Sequence, residues 1–154
     1  MQIMTFATIA EIFLEAAHAQ VWCSVATVDH QDRVRSRVLH PIWELEGERA
    51  VGWIATGRTS PKAKHIAHNS HMSLCYMKNP LKPLYVECTA AWADERADKQ
   101  RIWDLFSNTP EPLGYQLAGF FESVDNPAYG VLRLTPWRIE LADLFGESHV
   151  WTEA

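Results

Sequence analysis

Along the first twenty positions apolar residues recur at helical spacing. Phe6, Ile9, Phe13, Ala16 and Ala17 share one face, which predicts a helix over Thr5 to Gln20 with Thr5 or Thr8 as its cap. The period then changes. Val21 to Val28 is rich in β-formers, Asp29-His30-Gln31-Asp32 is a turn, and Arg33 to Trp43 is predicted as the partner strand. Glu46-Gly47-Glu48 turns that strand into another, Ala50 to Thr56. A short helix from Pro61 to about His68 follows, then a strand from His71 to Met77, a proline-rich loop over Asn79 to Pro83, and a strand from Leu84 to Ala93. Asp94 is predicted to cap a helix through Phe106, whose Ile102, Trp103 and Phe106 share a face. Ser107 to Asn126 reads as irregular, with a short helix near Gln116 to Glu122, and Tyr129 to Leu141 is the last strand. Six antiparallel strands with few helices between them predict a mainly β, α+β fold, a small closed barrel with flanking helices and not a doubly wound sheet.

Composition narrows the function classes. The 154 residues form one predicted domain, long enough to bury a core, and 47% hydrophobic with 21% charged residues is ordinary for a globular chain. A net charge of −5 argues against general nucleic-acid affinity, so any basic cluster is local. Cys23, Cys75 and Cys88 are odd in number and embedded in apolar runs, which fits reduced core thiols and not a disulfide frame or zinc site. No signal-peptide pattern opens the chain and no apolar run approaches the ~20 residues of a membrane span, so a soluble, cytoplasmic protein is expected. No G-x-G-x-x-G element is present, which removes a Rossmann-type dinucleotide site.

The stretch Trp53 to Asn69, WIATGRTSPKAKHIAHN, carries the strongest chemical signal. An apolar strand runs into Thr56-Gly57-Arg58-Thr59, then Ser60 stands at an N-cap position and Pro61 at the first helical position, where proline is best tolerated. Lys62 and Lys64 occupy the first turn, where the helix dipole favours acids. Cations and hydroxyls at a helix start fit an external anion, most simply the phosphate of a small molecule. A second element is Arg33-Val34-Arg35-Ser36-Arg37-Val38, where residues two apart share a face and the three arginines project together. One reading is a solvated face laced with ion pairs. The other brings one or two of these guanidiniums onto the same phosphate as Lys62, with hairpin order placing this strand beside Ala50 to Thr56.

These residues resemble the flavin-binding split barrel of the pyridoxamine 5′-phosphate oxidase superfamily. The likeness rests on Arg35 or Arg37 with Val38-Leu39, on Trp53-Ile54-Ala55-Thr56, on Ser60-Pro61-Lys62 four residues later, and on Asn69 followed by Met72-Ser73-Leu74. It covers the central sixty residues well and the ends in outline. The resemblance implies a six-stranded antiparallel split β-barrel and a homodimer with FMN at the subunit interface. It implies that Arg35, Arg37, Ser60 and Lys62 hold the phosphate, with Val38 and Pro61 beside them, and that backbone near Ala55 and Thr56 meets the flavin ring. The deazaflavin F420 is an alternative cofactor, whose longer acidic tail would also suit Arg58, Lys62 and Lys64. A non-enzymatic flavin or haem binder of the same fold is a further alternative. Pro61 stands where the vitamin B6 oxidase often has arginine and Ala90 where it usually has glycine, and Pro136 to Ala142 lacks its Arg-x-His-x-Arg clamp. The expected activity is therefore a flavin-dependent oxidoreduction of a small molecule other than vitamin B6.

Other constellations are weaker. His65, His68 and His71 are three apart, but only the first two fall on one helix turn and no acid or cysteine completes a ligand set, so no metal is expected and exposed helix-end histidines are the simpler reading. Cys23 has no evident histidine partner, and no Gly-x-Ser-x-Gly elbow occurs. Glu87 is expected to face outward from its strand. Trp92, Trp103 and Trp137 are expected in the core or an interface, with one of them a candidate to cover the flavin ring.

Overall fold

A computed structural model describes residues 1–154. The first helix, α1 (Phe6–Gln20), forms as its spacing predicts. The Thr5 hydroxyl accepts the Thr8 N–H at 3.3 Å, and Ile9, Ala10, Phe13 and Ala17 are buried. A two-residue strand, β1 (Gln2–Ile3), precedes it, and β2 (Cys23–Val28) follows.

The predicted strand over Arg33 to Trp43 is in fact two, β3 (Val34–Leu39) and β4 (Ile42–Glu46). Pro41 has no N–H to give a ladder and restricts His40 before it, so the chain changes partners there. β3 pairs antiparallel with β2, whereas β4 pairs with β5 (Arg49–Gly57). The arginine strand is thus not the neighbour of β5, contrary to expectation. After β5 come α2 (Pro61–His68), β6 (His71–Tyr76) and β7 (Leu84–Trp92). The next helix, α3 (Arg96–Asn108), has Glu95 at its N-cap and no side-chain cap, because Asp94 is bonded instead to Arg58. The short helix predicted near Gln116 is the single turn α4 (Ala118–Phe121). The long strand β8 (Tyr129–Leu141) pairs with β5, β7 and β9 (His149–Thr152), and β9 pairs parallel with β1.

The hydrogen-bonded path runs β1-β9-β8-β7-β6-β2-β3, with β5 and β4 branching from β8. No ladder joins β3 to β4, so the barrel is split and not closed as the strand count alone predicts. Side chains fill it instead. Phe13, Val25, Trp43, Ile54, Leu74, Val86 and Leu132 belong to one buried cluster. A second packs the outer face of β5 and β8 against α3, through Val51, Trp53, Ala55, Ile102, Phe106 and Val131. β5 is therefore apolar on both faces. Ala50 and Ile54 point into the barrel while Val51, Trp53 and Ala55 point to the second cluster, which explains its unbroken apolar run.

Gly52 sits between these residues because nothing larger fits. A Cβ there would lie 2.6 Å from the Trp43 ring, which is itself buried. Gly52→Ala is expected to cost about 1–3 kcal/mol through overpacking, lowering the melting temperature by roughly 2–4 °C per kcal/mol in a chain of this size. Differential scanning calorimetry checks it, and an unchanged transition would show that the ring has room to yield.

Candidate functional site

The basic basin is built where α2 meets the arginine strand. Pro61 opens the helix, and Ser60 stands at the N-cap with extended geometry. Its hydroxyl does not cap the helix. It donates to the Gly57 carbonyl at 2.8 Å and accepts from Lys62 Nζ at 2.7 Å. Lys62 falls on the inward face of α2 with His65 and Ile66, and is only 8% exposed. Burial lowers its pKa, and the nearby Arg37 guanidinium lowers it further.

Arg33, just before β3, and Arg35 and Arg37 within it divide their roles. Arg33 Nε donates to Asp29 Oδ2 at 3.0 Å, and Arg35 Nη1 lies 3.6 Å from the same oxygen. Burial would raise the Asp29 pKa. The backbone N–H groups of Arg33 and Gln31 and the Arg33 guanidinium outweigh it and hold the carboxyl well below its ordinary range. Arg37 turns the other way. It donates from Nη1 to the Val25 carbonyl at 3.1 Å and sets Nη2 3.4 Å from His65 Nδ1. Neither Arg37 nor Lys62 forms an ion pair with any carboxylate. Arg35, Ser36, Arg37, Ser60, Lys62 and His65 line a cavity of about 260 Å³ that also touches Leu39 and Pro61. Five of the sequence-predicted site residues, Arg35, Arg37, Ser60, Pro61 and Lys62, thus meet in one basin although the strand pairing differs from expectation.

Ala55 and Thr56 lie next door. They line a cleft of about 450 Å³ with Trp22, His40, Gly57, Tyr115, Phe120 and Phe121. The two cavities are neighbours through Leu39–His40 on one strand end and Gly57–Ser60 on the other. His40 stacks near Tyr115 (5.3 Å between centroids), and its Nε2 lies 3.0 Å from the Leu113 carbonyl. Burial lowers its pKa, so the ring is neutral at pH 7 with Nε2 protonated. Val38 faces away from the basin and lines an apolar cleft with Trp22, Cys75, Met77 and Pro112.

Several candidates resolve differently from their sequence reading. Arg58 is committed, bonded through two nitrogens to Asp94 and stacked 4.5 Å over Trp92. Trp92 is covered by it and does not face the cleft, Trp103 packs edge-on against Tyr129, and Trp137 lies beside His71. Aromatic residues at the cleft are Trp22, Tyr115, Phe120 and Phe121, which the sequence reading did not single out. His65 is not an exposed helix-end histidine. It is 5% exposed, with Nδ1 2.9 Å from the Thr27 hydroxyl. His68 is the surface residue, 2.9 Å from Asp32. No group of three metal-ligating side chains forms. Cys23 is inert, its thiol pushed up to about 12 by burial. No helix is long and apolar enough to cross a membrane.

No family model and no curated protein matches this sequence. Solved structures do match its fold. A Clostridium acetobutylicum protein related to general stress protein 26 of B. subtilis, of the pyridoxinephosphate oxidase family, superposes with a TM-score of 0.69 at 14% identity, covering 96% of this chain and 94% of that one. A Nostoc punctiforme pyridoxamine 5′-phosphate oxidase-related, FMN-binding protein gives 0.64 at 18% identity over 96% and 89%. The chain has the pyridoxamine 5′-phosphate oxidase-like split-barrel fold. A third split barrel, a NimC/NimA family protein also from C. acetobutylicum, gives 0.67 at 18% identity over 95% and 92%.

Asp29 holds the turn at the edge of this site, and its depressed pKa has a consequence for stability. A carboxyl more acidic in the folded than in the unfolded chain stabilises above its ordinary value near 3.8, and that contribution is lost as pH falls below it. The denaturant midpoint of the wild type is expected to drop more steeply between about pH 4 and pH 2 than that of Asp29→Asn, which lacks the titrating group. Parallel slopes in urea titrations at each pH would refute it.

Proposed function

We propose that this protein binds FMN and is a flavin-dependent oxidoreductase acting on a small molecule other than vitamin B6. One observation carries the reading. Lys62 and Arg37 are drawn together, partly desolvated, with no acidic partner. Two uncompensated cations are costly to hold in this way, and a phosphate relieves the cost by accepting charge-assisted bonds from both. The donor set fits. Arg35, Arg37 and Lys62, the last steadied by the Ser60 hydroxyl, surround a basin with room for a phosphate, and the aromatic cleft at Ala55 and Thr56 adjoins it as an isoalloxazine would require.

When bound, FMN supplies the hydride and electron transfer itself. The protein's part is to hold the phosphate, to press the ring between aromatic side chains and the backbone of β5, and to exclude water. That division fits a cleft without an acid–base dyad. FMN is preferred to F420 because Arg58, one of the three cations suited to an acidic tail, is taken by Asp94. Dimerisation with the cofactor at the seam is part of the proposal, and the exposure of Trp22, Val38 and Met77 around one apolar cleft favours it.

The test is the visible spectrum of the purified protein, with mass spectrometry of the released ligand and light scattering at micromolar concentration. Flavin absorbance, an FMN mass and a dimer are the expected results. A chain that neither retains nor takes up FMN overturns the cofactor assignment, and a monomer overturns the dimer.

A further inference from the structure

The least expected member of the basin is His65. The residue is only 5% exposed, yet it belongs to the lining beside Arg35, Arg37 and Lys62. The two ring nitrogens have different surroundings. Nδ1 lies 2.9 Å from the Thr27 hydroxyl and 3.4 Å from Arg37 Nη2. A guanidinium only donates, so a proton on Nδ1 would set two N–H groups against each other. Nδ1 is therefore the bare acceptor, taking hydrogen bonds from Arg37 and from Thr27. The single proton of the neutral ring is then on Nε2. No protein atom accepts from Nε2, and it is not among the sealed-off polar atoms, of which Trp92 Nε1 alone is one.

From this arrangement we infer that His65 is a phosphate-binding residue, held as the Nε2–H tautomer by Thr27 and Arg37 so that Nε2 donates to the anion in the basin. The inference rests on the reading of that basin as a phosphate site. Its charge balance is consistent. Burial, Arg37 and Arg35 each oppose a charge on His65, with Asp29 acting weakly the other way and His30 with the arginines, so the ring stays neutral. A neutral donor adds a bond without adding a third charge to a place where Arg37 and Lys62 already repel. It also couples the two sides of the site. The residue that orients Arg37 is the same one that meets the ligand, and both nitrogens of one ring are used.

The amide of glutamine reproduces this pair of functions, with an acceptor oxygen for Arg37 and Thr27 and an N–H for the anion. Phenylalanine keeps the volume and supplies neither. His65→Phe is expected to weaken inorganic phosphate binding roughly tenfold, and His65→Gln to recover most of that loss. The direct test needs no variant to be active. Long-range proton–nitrogen NMR of the full chain, titrated with inorganic phosphate and separately with FMN, reads the tautomer and the Nε2 proton. A proton on Nε2 in the free protein that moves downfield as phosphate saturates supports the inference. A proton on Nδ1 overturns it. So does a His65 signal that stays still in phosphate, whether or not Lys62 responds. The two readings fail separately. If phosphate moves His65 but FMN does not bind, the flavin assignment falls and His65 stands. If FMN binds and Nε2 is unmoved, this inference alone falls.

Discussion

Replacing Lys62 and Arg37 together by alanine is expected to weaken FMN binding at least tenfold, read by quenching of flavin fluorescence. Each removes a charged donor from the basin, and a hydrogen bond to a charged group is worth about 1.5–3 kcal/mol against about 1.4 kcal/mol per decade of affinity. The effect of the pair is not the sum of the singles, because Arg37 lowers the Lys62 pKa and the loss of either relaxes the other. Riboflavin, which lacks the phosphate, provides the control. Its affinity should be far less affected by the same double substitution. A second signature separates lost binding from lost folding. The free protein holds Lys62 nearly buried with no counter-ion, so removing it takes away an unfavourable desolvation. The Lys62→Ala single variant, which leaves the Arg37–Val25 bond in place, is expected in its apo form to melt no lower than the apo wild type, while the FMN-dependent rise in melting temperature shrinks. An unchanged dissociation constant for the double variant sinks the phosphate assignment.

The helix start at Ser60-Pro61-Lys62 was legible in the sequence because its chemistry is local. Cap residue, proline and misplaced cations all lie within a few positions. The unbroken apolar run of β5 was legible for a similar reason. The pairing of β3 was not, since Pro41 ends one strand and frees the next to choose a different neighbour, and that choice depends on the whole barrel. The basin nevertheless forms, because β2 carries β3 to the flank of α2. His65 is a different kind of miss. Its spacing to Lys62 and its adjacency to Ile66 put it on the buried face of a short helix, a signal present in the sequence but outweighed there by the usual exposure of a polar helix end. Asp29 likewise read as a turn residue, and its burial under two arginines needed the folded chain.

Trp43→Ala is expected to be the most damaging single substitution in the barrel, at about 3–5 kcal/mol, a large fraction of the 5–15 kcal/mol that holds a typical domain together. The ring is 2% exposed and meets Phe13 edge-on at 4.9 Å. Its Nε1 donates to the Tyr76 hydroxyl at 2.9 Å, and it fills the space that Gly52 leaves open on the facing strand. Alanine would therefore leave a cavity and also a fully buried Tyr76 hydroxyl without that donor. Trp43→Phe separates these losses. It keeps an aromatic ring against Phe13 but removes the N–H, and it is expected to fall between wild type and alanine in urea midpoint. The position also bears on the site. Trp43 lies two residues beyond Pro41, where the chain leaves β3 for β4, and its backbone N–H is fixed by His18 Nε2 at 2.9 Å. Loosening it frees the junction that sets His40 at the aromatic cleft. Trp43→Phe should then lose flavin affinity in proportion to its stability loss, whereas Lys62→Ala should lose affinity with none. A Trp43→Ala protein with wild-type urea stability would show that the barrel core does not depend on this ring.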